Sequence, residues 1–298
     1  MKRIAFLLVF AFVSTLGLAN NPLPNRPDTL RILAVGNSFS DDGTEYLPGL
    51  LEGAGIHHVI VARLYIGGCS LQRHCREYEE GGTNYIYSKS VRNEWELVNR
   101  NATITEGLRD EPWDIVTIQE VSNYSGTWET IGQWAPQLVS IIRREVSNPR
   151  AAIVWHMTWA YASNSTHGAF KLYDNNQQKM YSAIAGCVKR VREELDIPVV
   201  IPSGLAIHKT RATRLNNQDR VPASSKVYQL TRDGFHLSRQ HGRYTAACTW
   251  FEALIRPVTG VSVRGNPYRM EETEFSISEA DALLCQKCAI KAVKEYKL

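Results

Sequence analysis

The chain has 298 residues, 44% of them hydrophobic and 21% charged, with a formal net charge of +4. That is the balance of a globular protein long enough for one large α/β domain or two small ones. No basic stripe points to nucleic acid, so that class of partner is excluded.

The first residues do not belong to the fold. Lys2 and Arg3 precede an apolar run from Ile4 to Phe12 and small residues up to Ala19. A basic start, a short apolar core and a small-residue end predict a secretory signal peptide over 1–19. The run is too short for a membrane span, so the mature chain is expected to be exported, periplasmic or extracellular, with no membrane span. Loss of Lys2 and Arg3 takes the formal charge from +4 to +2. Residues 20–29, rich in proline, read as a linker, and 30–298 as a single domain. Export permits disulfides. The six cysteines, Cys69, Cys75, Cys187, Cys248, Cys285 and Cys288, are expected as structural disulfides or buried thiols, with the pairing left open.

Strand one is 31–35, followed by a helix through Tyr46, Leu47, Leu50 and Leu51. Val59 to Ile66 is a second strand, closing on Gly67-Gly68. Residues 69–110 are polar and aromatic-rich, and Asn84 to Val98 reads as a small hairpin or an exposed excursion. Trp113 to Ile118 is a buried strand ending at Gln119-Glu120, and a helix over 129–144 places Ile131, Trp134, Leu138, Ile141 and Ile142 on one face. Then come a strand at 151–155, a long helix over 172–195, a strand at 198–201 and a helix over 203–215. A polar connection leads to Asp233-Gly-Phe-His236, a helix through Ile255 and a last helix near 278–296. Five apolar strands alternating with helices predict an α/β fold, a three-layer α/β/α sandwich around a five-stranded parallel sheet.

Active sites of open α/β sheets lie at the carboxyl ends of strands. Four such ends carry suggestive residues: Ser38, Gly67-Gly68, Gln119-Glu120 and the Asp233/His236 pair. A serine nucleophile needs a base in hydrogen-bond reach, and the base needs an orienting acceptor. His236 and Asp233 supply both from one turn. The backbone N–H groups of Ser38 and Gly68, with the side-chain amide of Gln119 or Asn123, are candidate oxyanion donors. Asn37 and Asn123 are candidate substrate contacts. Read singly, Ser38 and Asp233 are ordinary helix caps; read in order at successive strand ends, they point to catalysis.

Gly36-Asn-Ser38 together with Asp233-Gly-Phe-His236 resembles the SGNH (GDSL-like) hydrolase superfamily, in a secreted bacterial branch more than in its lipase-like members. The resemblance implies an SGNH/flavodoxin-like sandwich with Ser38, His236 and Asp233 as the triad and Gly68 (or Gly67) in the oxyanion hole. Two departures stand out. The usual Gly-Asp-Ser reads Gly36-Asn37-Ser38. No Gly-x-Asn-Asp is present, and at the equivalent strand end stands Gln119-Glu120, similar to sialate-acetylesterase-like members, which makes Gln119 the candidate third donor.

Tyr124, Trp128, Trp155, Trp159 and Tyr161 cluster after the third and fourth predicted strands. Trp128 and Trp159 are candidate sugar-stacking residues, while Trp155 reads as core. His156 lines the site or is a satisfied core residue. No metal motif assembles from the eight histidines, and no cofactor or metal is implied. The expected activity is hydrolysis of small O-acyl esters, acetyl above all, on a carbohydrate. The alternatives are a pectin-type methylesterase, with Arg63, Arg73 or Arg232 holding uronic carboxylates, and a carbohydrate-binding relic with a dead site. Oligomeric state is not legible.

Overall fold

The computed structural model describes residues 23–91, 93–216, 230–270 and 276–296; the predicted signal peptide lies outside them. Strand β1 (Leu30–Gly36) is central because Ile32, Leu33, Ala34 and Val35 are all buried. A strand with no polar face must be covered on both sides. It pairs in parallel with β2 (Val59–Tyr65) on one side and β5 (Ile115–Ile118) on the other. β6 (Ala152–His156) and the two-residue β7 (Val200–Ile201) continue the parallel run beyond β5.

The sheet has seven strands, not five. β3 (Tyr85–Val91) and β4 (Glu94–Ala102) form an antiparallel hairpin that joins the edge of β2, giving the order β4-β3-β2-β1-β5-β6-β7. Tyr85 and Tyr87 anchor β3 in the core, but β4 is exposed over most of its length. An edge strand wet on both faces has no apolar alternation, and that is the pattern by which a strand is read.

Helices cover both faces. On one lie α1 (Ser38–Thr44), α2 (Leu47–Gly53), α7 (Ser203–Arg211), α8 (His241–Trp250) and α10 (Glu279–Tyr296). On the other lie α3 (Leu71–Glu79), α4 (Ile104–Asp110), α5 (Trp128–Glu145) and α6 (Gln177–Glu194). After α8 the chain passes through one π-helical turn, Phe251–Ile255, into the short α9 (Arg256–Thr259). This is the three-layer α/β/α sandwich. The helix expected from 172 instead begins at Gln177. Gly168–Tyr173 form a 3₁₀ turn, Asp174 and Asn175 take left-handed φ of 55° and 50°, and the Asn176 side chain caps the N–H of Lys179. No helix of the described residues is long and apolar enough to cross a membrane.

Numbered along the parallel strands alone, the order is 2-1-3-4-5. Chain direction from β1 reverses between β1 and β5, and a doubly wound sheet opens its ligand crevice at such a switch point.

Candidate active site

At the carboxyl end of β1 the chain must turn sharply into α1. Gly36 permits it: a Cβ there would lie 2.5 Å from Ser40 Oγ. Asn37 caps the helix, its Oδ1 accepting the Phe39 N–H at 3.0 Å. Ser38 is therefore the first helical residue, with its hydroxyl at the crevice.

The opposite wall is the loop before α8. Thr231 and Leu237 bridge across it, and Gly234 turns it with φ 90°. Asp233 organises the interior. Its Oδ1 accepts the N–H of His236 at 2.7 Å and of Phe235 at 3.1 Å, and its Oδ2 accepts His236 Nδ1–H at 2.6 Å. Burial pushes the Asp233 carboxyl up, but the His236 ring and the two backbone donors outweigh it and hold the group below the usual range. With Nδ1 donating, His236 Nε2 is left to accept, and it lies 2.8 Å from Ser38 Oγ.

What sets that separation is Asp42, one turn along α1 from Ser38. Its carboxylate is fully buried and accepts from Arg232 (2.9 and 3.2 Å), from Arg243 (2.7 Å) and from the N–H of Leu237 (2.8 Å). Arg232 and Leu237 flank Asp233 and His236 in the chain. One carboxylate on the nucleophile helix thus grips both ends of the loop carrying the other two residues. Sequence reasoning passed over Asp42, although an acid four residues after Ser38 faces the same side of a helix.

Gly68 has φ 61°, and the Cys69 N–H closes its turn on the Ile66 carbonyl at 3.2 Å. A β-turn with a left-handed third residue demands glycine at 68, and Gly68 lines the crevice. Gln119 does not face the crevice. It is buried, its Nε2 donates to Asn37 Oδ1 at 2.9 Å, and its Oε1 lies 2.6 Å from His156 Nδ1. Glu120 points to the other side, where one carboxylate oxygen accepts the N–H groups of Leu71 (3.0 Å) and Val121 (2.7 Å). Burial pushes the Glu120 carboxyl up against the pull of those two donors.

The aromatic residues are redistributed. Trp159 is fully buried and stacks on Phe39 at 4.3 Å between ring centres, 10° from parallel, while its Nε1 donates to the Phe235 carbonyl at 2.8 Å. It braces the residue after Ser38 and the residue before His236 and offers no face to a sugar. Trp128 is half-buried under the Arg190 guanidinium, 3.9 Å from its ring centre, and is not in the crevice. His156 is buried between Gln119, Ser203 and Trp250, and burial pulls its ring down to about 3. Trp155 is core as read. Tyr124 is 39% exposed beside Asn123.

The crevice is a cavity of about 310 Å³ lined by Asn37, Ser38, Phe39, Gly68, Val121, Ser122, Asn123, His167, Phe235 and His236. Phe39, Phe235 and His167 were not singled out from sequence. His167 accepts the Ala169 N–H at Nδ1 and packs edge-on to Phe235 at 4.7 Å. The three arginines considered as carboxylate holders are absent from the lining. Arg63 pairs with Glu45, Arg73 with Glu77 and Arg232 with Asp42. Among the described residues no three His, Cys, Asp or Glu side chains converge as metal ligands. All six cysteines are free, buried thiols.

Residues 31–291 match the family described as "Domain of unknown function (DUF4886)", and the chain belongs to that family. A crystal structure of a DUF4886 family protein from Bacteroides uniformis is 38% identical, with 90% of this chain and 95% of that chain covered and a TM-score of 0.78. Two further structures superpose more loosely. One is provisionally described as an SGNH hydrolase, from Slackia heliotrinireducens (22% identity, 76% of this chain and 98% of that chain, TM-score 0.46). The other is an acetylxylan esterase from Geobacillus stearothermophilus (14% identity, 81% of this chain and 100% of that chain, TM-score 0.48). Superpositions this loose carry no weight for function. No curated protein matches the chain.

Proposed function

We propose that this protein is an SGNH-type serine esterase that removes short O-acyl groups, acetyl above all, from carbohydrate. The supporting observation is the unbroken line from Asp233 Oδ2 through His236 to Ser38 Oγ, 2.6 and 2.8 Å, at the wall of the crevice. Productive nucleophile–base contacts fall in this range.

Ser38 Oγ attacks the ester carbonyl as His236 Nε2 takes its proton. Asp233 keeps Nδ1 protonated and stabilises the imidazolium. The Ser38 and Gly68 N–H groups receive the oxyanion, with the Asn123 side chain, which lines the cavity, as third donor in place of Gln119. The imidazolium protonates the departing alcohol, and water, deprotonated by His236, releases the acid from the acyl-serine. A cavity at the lower end of the usual range for ligand pockets, about 300–1,000 Å³, suits a short acyl group beside a sugar ring. Its mixed wall of Phe39, Phe235, His167 and Asn123 suits a face-and-edge binder of carbohydrate. The basic, apolar and small-residue order of the first 19 residues supports export to where polysaccharide lies.

The test is hydrolysis of p-nitrophenyl acetate by wild type and Ser38→Ala. The variant should lose on the order of 10⁴-fold or more in kcat, as loss of a serine nucleophile does elsewhere. Equal rates in the two proteins overturn the reading. Acetate, not methanol, should then appear when acetylated xylan and methylated pectin are offered together.

A further inference from the structure

Behind the crevice runs a row of buried polar groups whose direction can be worked out atom by atom. The Phe39 N–H can only donate, so the Asn37 atom 3.0 Å from it is oxygen. The Cys69 carbonyl can only accept, so the Asn37 atom 2.9 Å from it is the amide nitrogen. The two ends fix the Asn37 amide independently and agree. Gln119 must then donate Nε2–H to Asn37 Oδ1 and turn Oε1 to His156 Nδ1. His156 must carry its proton on Nδ1 and accept at Nε2. That matches its other neighbour, the Trp250 indole N–H at 3.3 Å, which can only donate. Ser203 Oγ adds to the same nitrogen at 3.0 Å. Asn37, Gln119, His156 and Trp250 are each at most 1% exposed.

We propose that Asn37, Gln119 and His156 are positioning residues, forming a one-directional hydrogen-bond chain from Trp250 on α8 to the Cys69 carbonyl that holds the Gly68 turn in register with Ser38. The inference deepens the esterase reading, and its kinetic readout rests on that reading. Cys69 follows Gly68 directly and closes its turn. Asn37 precedes Ser38 and caps its helix. The two proposed oxyanion N–H groups, on different strand ends, are therefore tied together by one side chain, Asn37.

The same geometry specifies asparagine over aspartate at 37. A carboxylate accepts from Phe39 and Gln119 equally well, but its second oxygen would face the Cys69 carbonyl at 2.9 Å with no hydrogen between them. Two buried acceptors in contact repel and leave both unsatisfied. The departure from Gly-Asp-Ser is thus required by this chain's turn.

The experiment compares wild type with Asn37→Asp and Gln119→Met in two readouts. One is steady-state hydrolysis of p-nitrophenyl acetate. The other is hydrogen–deuterium exchange of the segment 66–70, which needs no activity. In folded variants kcat should fall about 10- to 100-fold, the cost of small misplacements, with KM within about twofold, and exchange over 66–70 should quicken. A folded variant with wild-type exchange over 66–70 overturns the inference, whatever its kcat. Where neither variant folds, Trp250→Phe decides, because it removes only the first donor: quickened exchange supports the chain and unchanged exchange overturns it. A wild type without Ser38-dependent turnover sinks the esterase reading alone, and the exchange arm still judges the positioning claim.

Discussion

Asp233 has three acceptor contacts in one loop, two to backbone and one to the His236 ring. Asparagine would keep its size and lose one acceptor. In Asp233→Asn, an amide N–H facing Nδ1 forces the imidazole proton onto Nε2, where it meets the serine it should deprotonate. The expected loss in kcat is on the order of 10⁴-fold with the fold retained. Parallel kinetics and circular dichroism check it, and a loss under tenfold would mean Asp233 serves only as a turn former. Ser38, Asp233 and His236 each read singly as ordinary residues; their order at successive strand ends is what singled them out, and the structure brings the three into one hydrogen-bonded line. Gln119 and Trp159 were misplaced for a reason common to buried polar and aromatic groups. Sequence shows that a residue has an amide or a flat ring, but not which partner takes it. Gln119, buried with its Nε2 on Asn37 and its Oε1 on His156, is turned away from the crevice.

At the scale of elements, the loop at 231–237 and helix α1 are held at working distance by one ion cluster. Asp42→Ala removes the acceptor that Arg232, Arg243 and Leu237 share. Breaking a buried pair from one side costs about 3–5 kcal/mol, and here Arg232 remains a third exposed, which places the loss toward the lower figure. Urea unfolding should show that loss, and kcat should fall with it as His236 drifts from Ser38. A variant with reduced stability but unchanged kcat would show that the loop holds its place by other contacts. The parallel strands were legible as short apolar runs. The β3–β4 hairpin was legible only as one of two readings of Asn84 to Val98, and its place on the sheet edge was not, because β4 is exposed over most of its length and its sequence obeys no burial pattern.

For the whole molecule, acid should be the weak direction. His74 and His156 are both fully buried, and burial pulls each down to about 3 from an ordinary 6.5, with the neighbouring Arg73 adding to the effect on His74. In the unfolded chain both protonate near 6.5. Between that value and about 3 the unfolded state therefore binds more protons, and stability falls as pH falls. The slope is about 1.4 kcal/mol per pH unit for each histidine. Asp233, whose carboxyl is held below its ordinary value in the fold, adds its own loss only at still lower pH. Asp41, whose carboxyl burial raises to about 6, works the other way and offsets part of this loss. Unfolding free energies measured at pH 7.5, 6 and 5 should therefore fall by about 1 kcal/mol between the first two and by about 1.5 kcal/mol more at the third. A flat profile down to pH 5 would mean that these rings find protons or water in the native state.

The six buried thiols turn the molecule into its own opening gauge. Cys69 and Cys75 lie around the Gly68 turn and α3, Cys187 on α6, and Cys248, Cys285 and Cys288 on α8 and α10. Both helical layers and the crevice loop therefore each carry a reporter. Burial pushes the Cys75 and Cys285 thiols up to about 12 and holds the others high as well, so none reacts as a thiolate while the fold is closed. Ellman's reagent should find almost no equivalents in the native protein and six in denaturant. The order in which the sulfurs label over hours then ranks the local openings of the chain. If the crevice loop opens independently of the helical layers, Cys69 should label ahead of Cys248, and the rate of that step would measure how often the proposed oxyanion hole comes apart.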